Sequence, residues 1–109
     1  MKAAEFEAVF AHRCAVRALY FQVMGKPNAL GHARLGMIVS KRLFPRAVDR
    51  NRVRRHIRES FRQMAASLPA LDLVVRSTEA PPKNIAPENR RQDLLSALGK
   101  AAEKCCPAC

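Results

Sequence analysis

The chain has 109 residues, of which 49% are apolar, with 20 lysines and arginines against 9 acids, a formal net charge of +11 and a pI near 10.6. That length suits one domain, 1–109, with a modest core, and the apolar fraction excludes a disordered basic tail. The charge calls for an anionic partner. With no membrane-spanning apolar run and no signal-peptide pattern, the expectation is nucleic acid in the cytoplasm and no membrane.

Residues 3–12, AAEFEAVFAH, predict a short helix: Phe6, Val9 and Phe10 recur at i, i+3, i+4 and share a face. Two readings of that face stand, a core stripe or part of a groove on which bases stack. Residues 16–24 predict a strand, 25–32 a turn rich in Gly, Pro and Asn, and 34–39 a second strand. Two strands about one turn suggest an antiparallel hairpin.

Residues 40–62, SKRLFPRAVDRNRVRRHIRESFR, are the most charged part of the chain. Nine basic residues face only Asp49 and Glu59, a net +7. A helix is expected over about 47–67, with Asp49 in its first turn, where negative charge suits the helix dipole. Val53, Ile57, Phe61 (or Ser60 beside it), Met64 and Leu68 form its apolar stripe. Arg50, Arg54, Arg58 and Arg62 repeat every four residues on an adjacent face, widened by Arg55. Like charges at i, i+4 destabilise a helix by a few tenths of a kcal/mol per pair. A helix of roughly 30 Å that tolerates such a row makes sense if phosphates neutralise it. Every basic residue in this stretch after Phe44 is arginine, whose guanidinium grips phosphate in bidentate fashion and stacks on bases. For Asn51 a contact to RNA and a local backbone bond both remain open.

Residues 71–76, LDLVVR, predict an interior strand, 77–89 a proline-rich loop, and about 87–104 a last helix with Leu94, Leu95, Leu98 and Ala102 on its apolar face. The order is α-β-β-α-β-α: one sheet carrying helices, an α/β (α+β) class. Three of the four cysteines, Cys105, Cys106 and Cys109, crowd the end of the chain. The CxxC at 106–109 lacks a second pair and any βα context, so a disordered tail of free thiols at 105–109 is expected.

Catalytic patterns are missing. His12, His32 and His56 stand apart, no HExxH, GxSxG or P-loop occurs, and the acids form no two-metal cluster. No catalytic residue, protein-held metal or cofactor is therefore expected. Acid–base cleavage through His12 or His56 is a lesser alternative.

RNRVRRHIRESFR resembles the protein subunit of bacterial ribonuclease P, whose Arg-Asn-Arg signature opens a basic helix, here Arg50-Asn51-Arg52. The likeness extends through LGHARLGMIVSKR at 30–42, LPALDLVV at 68–75 and EFEAVF at 5–10, covering about 3–104. It implies a two-layer sandwich like a ribosomal-protein domain, with an unusual left-handed β-α-β crossover around the basic helix; periodicity alone predicts the right-handed form.

The likeness also implies partnership with a large catalytic RNA that removes the 5′ leader of precursor tRNA, the RNA and its Mg2+ performing the hydrolysis. By position, Ser40, Lys41, Arg42, Arg46, Arg50, Asn51, Arg52, Arg55 and Arg62 would meet the catalytic RNA. Phe6, Phe10, Arg54 and Arg58 would meet the leader. Two departures stand out: few residues precede EFEAVF, and Met24 occupies a position where the family often has an aromatic. The main rival is a stand-alone RNA-binding module with no part in cleavage.

Overall fold

The computed structural model describes residues 3–79 and 87–105. The elements are α1 (Ala3–His12), β1 (Ala15–Arg17), β2 (Phe21–Pro27), β3 (Arg34–Ile38), α2 (Ala47–Met64, continued by a 3-10 turn at Ala65–Ser67), β4 (Leu71–Ser77) and α3 (Pro87–Cys105). The mixed α/β class holds, with one more strand than the sequence suggests. The strand expected at 16–24 divides because Ala18 N donates to Phe21 O at 2.8 Å and closes a tight reversal. β1 and β2 then form the antiparallel hairpin.

The hairpin expected between 16–24 and 34–39 does not form. The sheet order is β1-β2-β4-β3, so β4 lies between β2, to which it is antiparallel, and β3, to which it is parallel. β4 wins that place because its apolar run can be buried on both sides; six of its seven residues are buried. The turn after β2 crosses the start of β4, where Asn28 N donates to Ala70 O at 3.0 Å and Asn28 Nδ2 to Asp72 Oδ1 at 2.8 Å. Gly31, at φ +80°, supplies the left-handed residue of this turn.

Two helices, α2 and α3, cover one face of the sheet. Ile57, Leu94, Leu98 and Ala101 pack there on Phe21, Val23, Leu71, Leu73 and Val75. Of the predicted α2 stripe, Ile57 and Leu68 are buried and Val53, Phe61 and Met64 pack against the core. Buried Ser60 sits beside Phe61. The short α1 crosses the other face, with Val9 on Met24 and Val74 and with Phe6, Ala15 and Ile38 around them. β3, α2 and β4 make the β-α-β unit that carries the basic helix.

Cys105 corrects the expectation of a free thiol. α3 runs through it, and it is bonded to Cys14 with Cα atoms 5.7 Å apart. The pair lies against Gly25, where a Cβ would stand 3.1 Å from Cys105 Cβ, so glycine makes room for it. The proline-rich loop expected at 77–89 lies largely outside the described residues, as does the CxxC at 106–109.

Candidate nucleic-acid interface

The segment between β3 and α2 is built to hold its basic side chains outward. Ser40 Oγ accepts from Leu43 N at 3.2 Å and Ser40 O accepts from Phe44 N at 3.1 Å, which folds 40–44 into a tight turn. Lys41 and Arg42 at its tip are exposed. Arg50 reaches back from α2: its Nη1 donates to Phe44 O and Pro45 O, both at 2.9 Å. Its half-buried guanidinium thus joins this loop to the first turns of the helix.

The arginines of α2 divide by partner. Arg46, at the N-cap, makes a two-pronged ion pair with Asp49, Nε to Oδ2 at 2.8 Å and Nη2 to Oδ1 at 3.1 Å. Donating to the Asp49 carboxylate holds the Arg46 guanidinium in its charged form and raises its pKa. Arg55 pairs with Glu59 at 3.1 Å one turn on. Asn51 is exposed and its Oδ1 accepts from Arg54 Nη1 at 3.4 Å, a side-chain bond rather than a backbone one. Arg52, Arg58 and Arg62 are exposed and make no ion pair among the described residues. With Lys41 and Arg42 they form an open positive surface.

The four residues expected to share one groove are not gathered on one packing face. Phe6 is half-buried in the cluster beneath α1 and Phe10 is 39% exposed at its rim. Arg54 and Arg58 belong to α2, whose apolar stripe packs on the opposite sheet face. The edge strand β3 stands between the two sets.

One polar network escaped the sequence reading. Arg34 donates Nε to Asp72 Oδ1 and Nη2 to Asp72 Oδ2, both at 2.8 Å, and also pairs with Glu5. Asn28 adds its bond to Asp72 Oδ1. The hydrogen bonds that Arg34 donates hold the Asp72 carboxyl below the usual carboxylate range, and the same bonds push the Arg34 pKa up. The network fastens the start of α1 to β3 and β4. Nothing in the local pattern signals it, because Arg34 and Asp72 are 38 residues apart.

No cluster of His, Cys, Asp or Glu suited to a metal occurs among the described residues. His56 stacks on Phe21, ring centroids 6.2 Å apart, on the core side of α2 rather than on its arginine row.

Comparison with known proteins agrees with this arrangement. The ribonuclease P family model matches residues 1–104. The ribonuclease P protein component of Azoarcus sp. strain BH72 is 46% identical over 99 residues, 91% of this chain and 82% of that protein. That of Aromatoleum aromaticum is 38% identical over 94% of this chain and 85% of that protein. The Staphylococcus aureus RNase P protein superposes with a TM-score of 0.82 at 30% identity, covering 97% of this chain and 95% of the other. The Thermotoga maritima RNase P protein does so with a TM-score of 0.78 at 25% identity, covering 92% and 94%. Basic helix, sheet order and sequence thus converge, and the chain belongs to the ribonuclease P protein family.

Proposed function

We propose that this chain is the protein subunit of a ribonuclease P, acting with a catalytic RNA to remove the 5′ leader from precursor tRNA. The observation that carries the reading is the positive surface of Lys41, Arg42, Arg52, Arg58 and Arg62, which no acid of the described chain neutralises. A helix carrying that charge is best satisfied by a polyanion along it.

Lys41, Arg42, Arg52 and Arg62 contact the catalytic RNA in this reading, with Ser40 and Arg50 shaping the loop that presents the first two. Asn51 and Arg55 lie on the same exposed side, and Arg46 joins them when a phosphate competes with Asp49. Arg54 and Arg58 take the leader from one side of the β3 edge, and Phe6 and Phe10 take it from the other. An extended single strand crossing that edge meets both. Stacking on Phe10 is sequence-tolerant, as a protein serving many precursors requires. Mg2+ enters with the RNA, which performs the hydrolysis, and the work is cytoplasmic.

The test is cleavage of precursor tRNA at low Mg2+ by the protein alone, the catalytic RNA alone, and both. The expected result is negligible cleavage by either alone and restored cleavage by the mixture. Cleavage by the protein alone would mark a protein nuclease, and no effect on the RNA would mark a bystander RNA-binding module.

A further inference from the structure

β2 carries a glycine in its interior, Gly25, where a side chain would normally pack. Register gives the reason. Gly25 follows Met24, the partner of Ala15, and Gly25 N donates to Cys14 O at 3.0 Å, so Cys14 stands beside it at the head of β1. Met24 and Ala15 pack under α1, so their neighbours Gly25 and Cys14 face the other side of the sheet, where α3 lies. The last turn of α3 fills the space that the glycine leaves. A Cβ on Gly25 would stand 3.1 Å from Cys105 Cβ and 3.3 Å from Cys105 Sγ. Lys104 Nζ donates to Ala15 O at 2.8 Å and holds that turn to β1. The fold thus brings the two cysteines together across 91 residues, with Cα atoms 5.7 Å apart, a spacing that a disulfide spans without backbone movement.

Access to the two sulfurs differs: Cys105 is 4% exposed, whereas Cys14 is half-buried. The pair stands at the β1 edge of the sheet. Lys41, Arg42 and α2 follow β3, at the opposite edge.

We propose that Cys14 and Cys105 are a redox-modification site, closed by a low-molecular-weight disulfide, RSSR, and reopened by the corresponding thiol. The Cys14 thiolate attacks one sulfur of RSSR, whose S–S bond breaks and releases one RS⁻. The Cys105 thiolate then attacks the Cys14 sulfur of this mixed disulfide and expels the second RS⁻. The protons given up by the two cysteines end on the two RSH. Two protein thiols are oxidised by two electrons in all, and one RSSR is reduced. By linkage, the fold favours the closed bond by as much as the bond favours the fold, on the order of a thousandfold for a loop this long. Closure fastens the last turn of α3 to the junction of α1 and β1 and leaves the positive surface of α2 as it was. The redox chemistry is independent of which RNA α2 binds.

The experiment uses the full chain carrying Cys106→Ser and Cys109→Ser, so that Cys14 and Cys105 are its only cysteines. The protein is equilibrated in glutathione buffers of graded ratio, native and in urea. Alkylation and mass spectrometry count the open, mixed and closed forms, and circular dichroism checks the fold of each. The expected native bond withstands a buffer on the order of a thousandfold more reducing than the bond in urea does. Closure should slow hydrogen exchange at 14–17 and 102–105. Affinity for the catalytic RNA should differ by less than about twofold between the open and closed forms, since the two regions are far apart. A native chain that stops at the mixed disulfide on Cys14, a bond reduced equally in native protein and in urea, or an open form that is unfolded would overturn the inference.

Discussion

Arg50 and Arg58 belong to one four-residue repeat, yet the fold gives them different work. Arg50 holds the carbonyls of Phe44 and Pro45, whereas Arg58 projects into solvent. Replacing Arg50 by Ala removes two charge-assisted bonds and is expected to cost about 1–2 kcal/mol of folding stability, measured by urea unfolding. Arg58→Ala should leave stability within about 0.5 kcal/mol. The repeat itself was legible because helical periodicity is local. The division of labour within it was not, since it depends on where a loop six residues upstream folds back. Arg46 and Arg55 teach the same lesson, because their acid partners sit three and four residues away and partly neutralise a row that reads as uniformly positive.

At the scale of elements, what the sequence revealed and what it hid follow from the range of the forces involved. The stripe of α2 and the apolar run of β4 depend on neighbours in the chain and were readable. The pairing of strands was not: β4 enters between β2 and β3 from more than 30 residues downstream, and no local pattern states that order. The Arg34–Asp72 bridge that seats α1 is equally non-local, and it gives the molecule a pH dependence. The folded-state pKa of Asp72 is depressed, so its contribution is present above the unfolded carboxyl value of about 4 and fades as pH falls through the folded value. Asp72→Asn should lower the melting temperature by about 5–10 °C near neutral pH, and the gap should narrow in acid. A gap constant from pH 7 to pH 2 would remove Asp72 from that role.

The Cys14–Cys105 bond links elements at the two ends of the chain, with a sequence separation of 91. A closed loop of that length stabilises by about 4–5 kcal/mol in the chain-entropy model. A reductant should therefore lower the melting temperature of the oxidised protein substantially and leave that of Cys14→Ser unchanged. In a reducing cytoplasm the pair would stand as two adjacent thiols, so both forms are worth melting.

For the whole molecule, the governing fact is a net +11 on 109 residues, much of it on one helix and the loop before it. Composition alone pointed to a polyanion, and the fold keeps enough of that charge open to solvent for one to bind. The cost to the free protein is self-repulsion among Arg52, Arg58 and Arg62, and the benefit appears only when RNA is present. Replacing these three together by Gln and measuring both free-protein stability and the salt dependence of catalytic-RNA binding tests this most directly. The account predicts unchanged or slightly higher stability, with a salt slope shallower by about 1.4 to 1.8 log units per log unit of salt for the two contacts of Arg52 and Arg62; an unaltered slope, or a protein that no longer folds, would contradict it.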